Sequence, residues 1–170
     1  MQLFVRRNLR SWQAQKSRAG ICRLGANQLA SHARCMLWGV STAAGAVLLS
    51  KFSRQPIGLR LDWNKAALIA LLGPVLEEIT CRGYLLILLL YLAKRTAWPF
   101  ARLAAVIAAA LIFTAAHVGN AGITWLHLSC IAAMGCLYGA LRLNYRSTTA
   151  AVLTHSTYNL ALCLSSWLGA

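Results

Sequence analysis

Two adjacent glutamates and an arginine lie inside a long apolar stretch, and no other feature of this sequence constrains the fold as strongly. Glu77, Glu78 and Arg82 fall within the apolar run 66–93, in a chain with only three Asp and Glu residues. At about 1.5 Å per residue, a helix that starts at Lys65 places Glu77 about 18 Å along its axis, near the middle of a bilayer. A charged side chain at that depth costs about 2.5–3.5 kcal/mol on insertion scales, so these charges need a reason to be there.

Helical geometry divides the three charged side chains into two groups. Glu78 and Arg82 are four residues apart, so they share a helix face and can form an ion pair. Glu77 points about 100° away from Glu78 and has no partner in its own helix. A carboxylate without a partner is suited to act as a general base. The alternative, which the spacing leaves open, is a buried cluster of all three charges that fixes helix packing.

The composition is that of an integral membrane protein. Hydrophobic residues make up 59% of the chain and charged residues 12%, with a mean hydropathy of +0.58. The formal net charge is +14, but the Lys and Arg residues collect at the ends of apolar runs and in the N-terminal segment. That distribution is typical of contact with anionic lipid. We therefore expect membrane lipids as partners and no nucleic acid. The six cysteines lack C-x-x-C spacing, which favours small buried side chains over disulfides or a zinc site.

The apolar runs predict an all-α fold, a polytopic transmembrane helical bundle of about four to five spans around a polar intramembrane cavity. The runs are 35–50, 66–93, 100–118, 123–141 and 147–168. The first run is shorter than the roughly 20 residues that a span usually needs. Gly73-Pro74 is expected to kink or break the second run. Gly135 and Gly139 form a G-x-x-x-G face that favours close helix packing.

The chain is predicted to have two parts. Residues 1–34 form a basic N-terminal arm without acidic residues, in which Val5, Leu9 and Trp12 recur at helical spacing. This pattern favours a short helix lying on an anionic membrane surface, although an organelle transit peptide has a similar composition. Residues 35–170 are expected to form the transmembrane helical core.

Polar side chains recur at one-turn spacing in three further runs. Phe113 and His117 lie in the third run, and His155 and Asn159 in the fifth. His127 lies in the fourth run and has no polar residue four positions later, so only a helix–helix hydrogen bond of about 0.6–2 kcal/mol is expected of it. Burying so many unpaired groups would be costly, which predicts that they meet around a shared hydrated cavity.

The motifs resemble those of the CPBP family (CaaX protease and bacteriocin-processing, or Abi). Glu77-Glu78-Ile-Thr-Cys-Arg82 followed by Gly83 is similar to its E-E-x-x-x-R-G motif. Phe113-x-x-x-His117 and His155-x-x-x-Asn159 are similar to its second and third motifs, in the same order. The resemblance implies an intramembrane endopeptidase of the glutamic type, without metal or cofactor. It also implies a hydrophobic or lipid-anchored peptide substrate, cut near a terminus.

The resemblance also implies roles for single residues. Glu77 and His117 would activate a water molecule, while His155 and Asn159 would donate hydrogen bonds to the oxyanion. The residues implied to order the site or bind the substrate are Glu78, Arg82 and Phe113. The expected location is a bacterial-type inner (cytoplasmic) membrane, and a partner subunit or a homo-oligomer is left open.

Three other readings of the same residues stay open at this point. His117, His155 and a glutamate could serve as ligands of a zinc-dependent intramembrane protease, since zinc accepts such a set. The same groups could belong to a non-catalytic module that binds a membrane peptide or confers immunity. Cys81 lies four residues after Glu77, on the same helix face, and is a candidate nucleophile.

Overall fold

The structure of the chain is a computed structural model that describes the backbone of residues 2–54, 63–120 and 122–168. Side chains are described for residues 27–54, 65–120 and 122–168. Every regular element within these ranges is helical, which confirms the predicted all-α class. The chain divides into two units, Met1–Arg34 and Cys35–Ala170.

Helices of two kinds follow one another along the chain. The elements are α1 (Gln2–Ser53), α2 (Trp63–Ala67), the π-helical segment π1 (Leu68–Leu72), α3 (Gly73–Glu78), the π-helical segment π2 (Ile79–Leu85), α4 (Leu86–Ala93), α5 (Ala101–Ala115), α6 (Trp125–Tyr145) and α7 (Thr148–Trp167). The backbone of the basic arm is helical as part of α1. The predicted apolar face of the arm depends on side chains in 1–26, which lie outside the described ones.

Two stretches of helix in the described part of the chain are long and apolar enough to cross a membrane. They are Asn27–Ser53 and Trp125–Tyr145, each with a mean hydropathy of 1.4. The first extends past both ends of the short apolar run 35–50. Helix α5 is apolar but has 15 residues, which reach about 22 Å against a hydrocarbon thickness of about 30 Å. Helix lengths alone therefore do not give the expected four to five spans.

The helix that carries the two glutamates is continuous from Trp63 to Ala93, so Gly73-Pro74 does not break it. Proline has no N–H to donate and its ring needs space where the preceding turn would lie. The wider turn of π1 ends immediately before this pair, at Leu72, and places Pro74 in the first turn of α3. The second π-helical segment begins directly after Glu78. Such segments are rare and occur frequently at functional sites.

Helices α5 and α6 pack closely through the predicted small-residue face. A Cβ atom added to Gly139 would lie 2.9 Å from Cγ1 of Val106, and one added to Gly135 would lie 3.0 Å from Cβ of Ala110. Neither position has room for a larger side chain, which confirms the G-x-x-x-G prediction and fixes α6 against α5.

Helix α1, from Cys35 onward, packs against α7 immediately before His155. The hydroxyl of Thr154 shares its hydrogen between the carbonyl of Cys35 at 3.0 Å and that of Ala150, in its own helix, at 2.9 Å. A Cβ added to Gly39 would lie 2.6 Å from the carbonyl oxygen of Thr154, so only glycine allows this approach. Thr154 is fully buried, and α1 therefore helps to fix the part of α7 that carries His155.

Large apolar side chains cover much of the described surface. Examples are Leu48, Leu88, Leu111 and Ile112, each of which is at least half exposed. Soluble proteins rarely expose such extended apolar area, whereas a lipid-facing surface requires it. Together with the two long apolar helices, this surface is that of a membrane protein.

Candidate active site

Glu77 and Glu78 are neighbours in sequence but have different surroundings. The side chain of Glu78 is fully buried, while that of Glu77 is 39% exposed. Both belong to the last turn of α3, and the helical rotation between consecutive residues separates them. The sequence-based division into a paired and an unpaired glutamate therefore agrees with the burial of the two side chains.

Glu78 forms the predicted ion pair with Arg82. Nη1 of Arg82 lies 2.9 Å from Oε1 of Glu78, and Nη2 donates to the carbonyl of Gly135 over 3.0 Å. The missing side chain at Gly135 leaves room for the guanidinium, since a Cβ there would lie 3.4 Å from Nη2. Among the described residues, Oε2 of Glu78 has no hydrogen-bond partner. The pair thus ties the helix that carries Glu77 and Glu78 to α6.

Two aromatic rings enclose the guanidinium of Arg82. Its Cζ lies 4.5 Å from the ring centre of Phe113 and 5.2 Å from that of Tyr138. Both rings also contact histidines: Phe113 meets His117 edge-on at 4.8 Å, and Tyr138 stacks on His155 at 4.6 Å. The position of the buried cation is therefore linked to the positions of both imidazole rings. Sequence reasoning missed Tyr138, because a tyrosine in an apolar run gives no distinctive signal.

His155 joins the buried ion pair to Glu77. Its Nδ1 lies 2.9 Å from Oε1 of Glu78, and its Nε2 lies 3.8 Å from Oε2 of Glu77. A carboxylate accepts hydrogen bonds, so Nδ1 carries the hydrogen in this contact. The imidazole is therefore held from behind by Glu78 and presents Nε2 towards Glu77.

His117 lies two residues beyond the end of α5 and one residue before the end of the apolar run 100–118. Its backbone N–H bonds to the carbonyl of Thr114, which leaves the carbonyl of Phe113 without its usual helical donor. The side chain supplies that donor, since Nδ1 lies 2.9 Å from the Phe113 oxygen. A carbonyl only accepts, so Nδ1 carries the hydrogen and Nε2 of the neutral ring keeps its lone pair.

Asn159 is attached to the glutamate helix through the irregular turn before Pro74. The N–H of Gly73 bonds to the carbonyl of Leu68, and the next residue, proline, has no N–H. The carbonyl of Ile69 therefore lacks a main-chain donor, and Nδ2 of Asn159 donates to it over 3.1 Å. One hydrogen of the Asn159 amide is occupied in this way, and the other has no acceptor among the residues that the structure describes.

One cavity of about 400 Å³ brings together all four predicted catalytic side chains, Glu77, His117, His155 and Asn159. Phe113 also lines it, whereas Glu78, Arg82 and Cys81 are not among the lining residues. Most of the wall is apolar. The apolar lining includes Leu68, Ile69, Ile123, Ile131, Met134 and Leu162. The cavity therefore combines a small polar cluster with a wall suited to apolar groups.

The structure places His127 differently from the sequence-based expectation of a helix–helix hydrogen bond. Its ring bonds to Thr124, three residues earlier, in a capping box at the start of α6. It also lines the same cavity as Glu77. The sequence did not indicate this cap, because the usual capping box has Glu or Gln where this chain has His127.

No group of three His, Cys, Asp or Glu side chains suited to hold a metal ion is found among the residues that the structure describes. The candidate ligands of the zinc alternative do line one cavity. Two of their ring nitrogens, Nδ1 of His117 and Nδ1 of His155, already bond to other protein oxygens.

The fold and the cavity together define an α-helical membrane protein with a glutamate–histidine site. A comparison with protein families matches residues 60–161 to the type II CAAX prenyl endopeptidase Rce1-like family. The match covers more than half of the chain and includes every motif quoted above, so the chain belongs to this family, which is a family of proteases. The resemblance drawn from the motifs is thereby confirmed. No curated protein and no solved structure matches the chain.

Proposed function

We propose that the protein is a glutamic-type intramembrane endopeptidase, with Glu77 as the general base. The observation that carries this proposal is the single cavity lined by Glu77, His117, His155 and Asn159. Of the two glutamates whose side chains are described, Glu77 is the one without a close ion pair, and its side chain lines the cavity. A base must reach a water molecule and be free to take its proton, and Glu77 meets both requirements.

The proposed reaction begins with a water molecule held between Glu77 and Nε2 of His117. Glu77 takes a proton from this water while the water oxygen attacks the carbonyl carbon of the scissile peptide bond. The carbonyl electron pair moves onto oxygen and forms an oxyanion. When the oxyanion collapses, the C–N bond breaks, and the departing nitrogen receives the proton held by Glu77.

His155 and Asn159 are proposed to stabilise the oxyanion. The second hydrogen on Nδ2 of Asn159 is free to donate, because only one is used on Ile69. Nε2 of His155 donates in the doubly protonated ring, in which Nδ1–H donates to Glu78. Losing one donor of this kind typically costs about 2.7–4 kcal/mol of transition-state stabilisation.

Glu78 and Arg82 are proposed to order the site rather than to bind substrate. Both are buried, and neither is among the residues that line the cavity. Their ion pair fixes Nδ1 of His155, and the guanidinium keeps the rings of Phe113 and Tyr138 in place. Phe113 adds an edge contact to each of His117 and His155.

The proposed substrate is a hydrophobic or lipid-anchored peptide of the CAAX type, cut near its terminus. The mostly apolar wall of the cavity favours apolar peptide side chains, and the two long apolar helices favour access from the bilayer. The four to five membrane spans expected from the apolar runs belong to this proposal. So does a bacterial-type inner membrane as the location.

The test is cleavage of a library of lipid-anchored peptides by purified protein, with products identified by mass spectrometry. Wild type should release defined fragments, and Glu77→Ala should release none above background. Activity that survives chelation, with no bound zinc by metal analysis, separates the proposal from the zinc alternative. If Glu77→Ala still cuts, the glutamic mechanism is wrong. If wild type binds peptides without cutting them, a binding module is favoured instead.

A further inference from the structure

The capping box of α6 fixes which nitrogen of His127 carries its hydrogen. The backbone N–H of Thr124 donates to Nδ1 over 3.2 Å, and the Thr124 hydroxyl lies 2.9 Å from the same atom. A nitrogen that accepts a backbone N–H must present its lone pair, so in the neutral ring the hydrogen sits on Nε2. The cap therefore selects the tautomer with Nε2–H.

His127 therefore differs from the other two histidines of the cavity. Nδ1 of His117 and Nδ1 of His155 both donate, to a carbonyl and to a carboxylate. Nδ1 of His127 accepts, which makes its Nε2 a hydrogen-bond donor. Within the part of the chain that the structure describes, no hydrogen bond satisfies this Nε2–H. The ring is partly buried and lines the cavity.

The residues of α6 and α7 that line the cavity show where this donor lies. On α6 they are His127, Cys130, Ile131, Met134 and Tyr138, one face of the helix over about three turns. On α7 they are His155, Tyr158, Asn159 and Leu162, with the same spacing. His127 stands at the N-terminal end of the α6 face. Between this donor and the other end of the face, the α6 wall offers mainly apolar groups.

We propose that His127 is a substrate-binding residue, whose Nε2–H donates to an sp² oxygen of the bound peptide outside the scissile bond. This inference rests on the proposed peptidase function and adds a second anchoring point to it. The Nε2–H belongs to a partly buried ring beside a mostly apolar cavity wall, and a peptide oxygen bound in the cavity would supply its missing acceptor. The oxygen belongs either to a main-chain carbonyl or to the terminal carboxylate, both acceptors of the same kind.

Three substitutions separate this role from the structural role of the cap. His127→Leu removes both the donor and the cap contact. His127→Gln keeps both, because glutamine at this position of a capping box accepts from the N-cap N–H and still has N–H groups to donate. Thr124→Val removes the capping hydroxyl but keeps the backbone N–H that holds Nδ1. If His127 only stabilised the cap, Thr124→Val should weaken peptide binding as much as His127→Leu does.

The experiment measures binding and turnover of a farnesylated, fluorophore-labelled peptide that ends in Cys-Val-Ile-Met, with protein in lipid nanodiscs. Binding is measured in proteins that also carry Glu77→Gln, so that the Kd does not depend on turnover. We expect His127→Leu to raise Kd and KM roughly three- to tenfold with kcat within about twofold, which is the size of one hydrogen bond. His127→Gln should restore most of the affinity, and Thr124→Val should leave Kd within about twofold.

A second probe, in which the decarboxylated amine of methionine replaces the C-terminal methionine so that no terminal carboxylate is present, identifies the oxygen. If the effect of His127→Leu disappears with this probe, the acceptor is the terminal carboxylate, and if it persists, the acceptor is a main-chain carbonyl. The inference is overturned if the Glu77→Gln protein and the Glu77→Gln/His127→Leu protein bind the probe with equal Kd. It is also overturned if neither protein binds the probe. An equal loss in Thr124→Val overturns it as well. A wild type that binds the probe in a His127-dependent way but cuts no peptide overturns the proposed function alone.

Discussion

Two polar regions lie side by side in this protein, and the same residue types behave differently in each. The Arg82 cluster (Glu78, Arg82, Phe113, Tyr138 and the Gly135 carbonyl) is closed, and both of its charges are buried. The cavity is open, and its glutamate is 39% exposed without a contact shorter than 3.8 Å to a cation.

His155 belongs to both regions, since it bonds to Glu78 through Nδ1 and approaches Glu77 through Nε2. Buried charges tolerate no loss of a partner, whereas a cavity must keep some groups unpaired for a ligand. We therefore expect the closed cluster to control stability and the open cavity to control activity.

The largest expected effect comes from breaking the closed cluster. Arg82→Met leaves the Glu78 carboxylate buried without its cation and should cost about 3–5 kcal/mol of stability. Unfolding by SDS titration, followed by circular dichroism, measures it. The double variant Glu78→Leu/Arg82→Met removes both charges and should be more stable than Arg82→Met alone. A double variant that is less stable would contradict a charge-pair explanation.

Asn159 lines the cavity and also bonds to the helix of Glu77, so its substitution should affect both activity and stability. Asn159→Leu should lower kcat roughly 10²–10³-fold, which corresponds to about 2.7–4 kcal/mol in the transition state. It also leaves the Ile69 carbonyl without its donor, which should lower stability. Adding Pro74→Ala supplies a main-chain N–H near that carbonyl and should recover stability but not rate. Recovery of both would mean that Asn159 is only structural.

Overpacking between α5 and α6 should act on the closed cluster and spare the apolar wall of the cavity. Gly139→Ala places a Cβ 2.9 Å from Val106 and should cost about 1–3 kcal/mol of stability. KM for the cleaved peptide should stay within about twofold of wild type. Gly45→Ala is the matched control, because a Cβ at Gly45 meets no atom within 4 Å. An equal loss in both variants would contradict a packing origin.

The smallest effect is expected where α1 meets α7. Thr154→Val removes the hydroxyl that donates to Cys35 and should cost about 0.6 kcal/mol, the average for such bonds in a membrane. The same SDS titration measures it, with Thr157→Val as a control because the hydroxyl of Thr157 bonds only within its own helix. A larger loss in Thr157→Val than in Thr154→Val would contradict the importance of the α1 contact.

Most of the closed cluster and most of the polar residues that line the cavity could be predicted from sequence. The spacing of Glu78 and Arg82 gave their pairing, since residues four apart share a helix face. The polar residues at His117, His155 and Asn159 stood out because nothing else explains them inside apolar runs. The G-x-x-x-G packing of α6 followed from the small size of its glycines.

The remaining features depend on main-chain groups and on contacts between helices, which a residue pattern does not display. Asn159 bonds to the Ile69 carbonyl because π1 and Pro74 together leave that oxygen without a donor. His127 was missed because its partner precedes it in the chain. The apolar run 100–118 predicted a longer helix than α5, which ends at Ala115 ahead of a turn where Gly119 adopts a φ of +89°.

The most direct test of the central claim compares two nearly isosteric changes at neighbouring positions. Glu77→Gln and Glu78→Gln are purified side by side, and kcat on a cleaved lipid-anchored peptide is measured together with stability. We expect Glu77→Gln to lose roughly 10²–10⁴-fold in kcat with stability within about 0.5 kcal/mol of wild type. Glu78→Gln should instead lose several kcal/mol of stability. A Glu77→Gln protein that turns over at the wild-type rate would contradict the account.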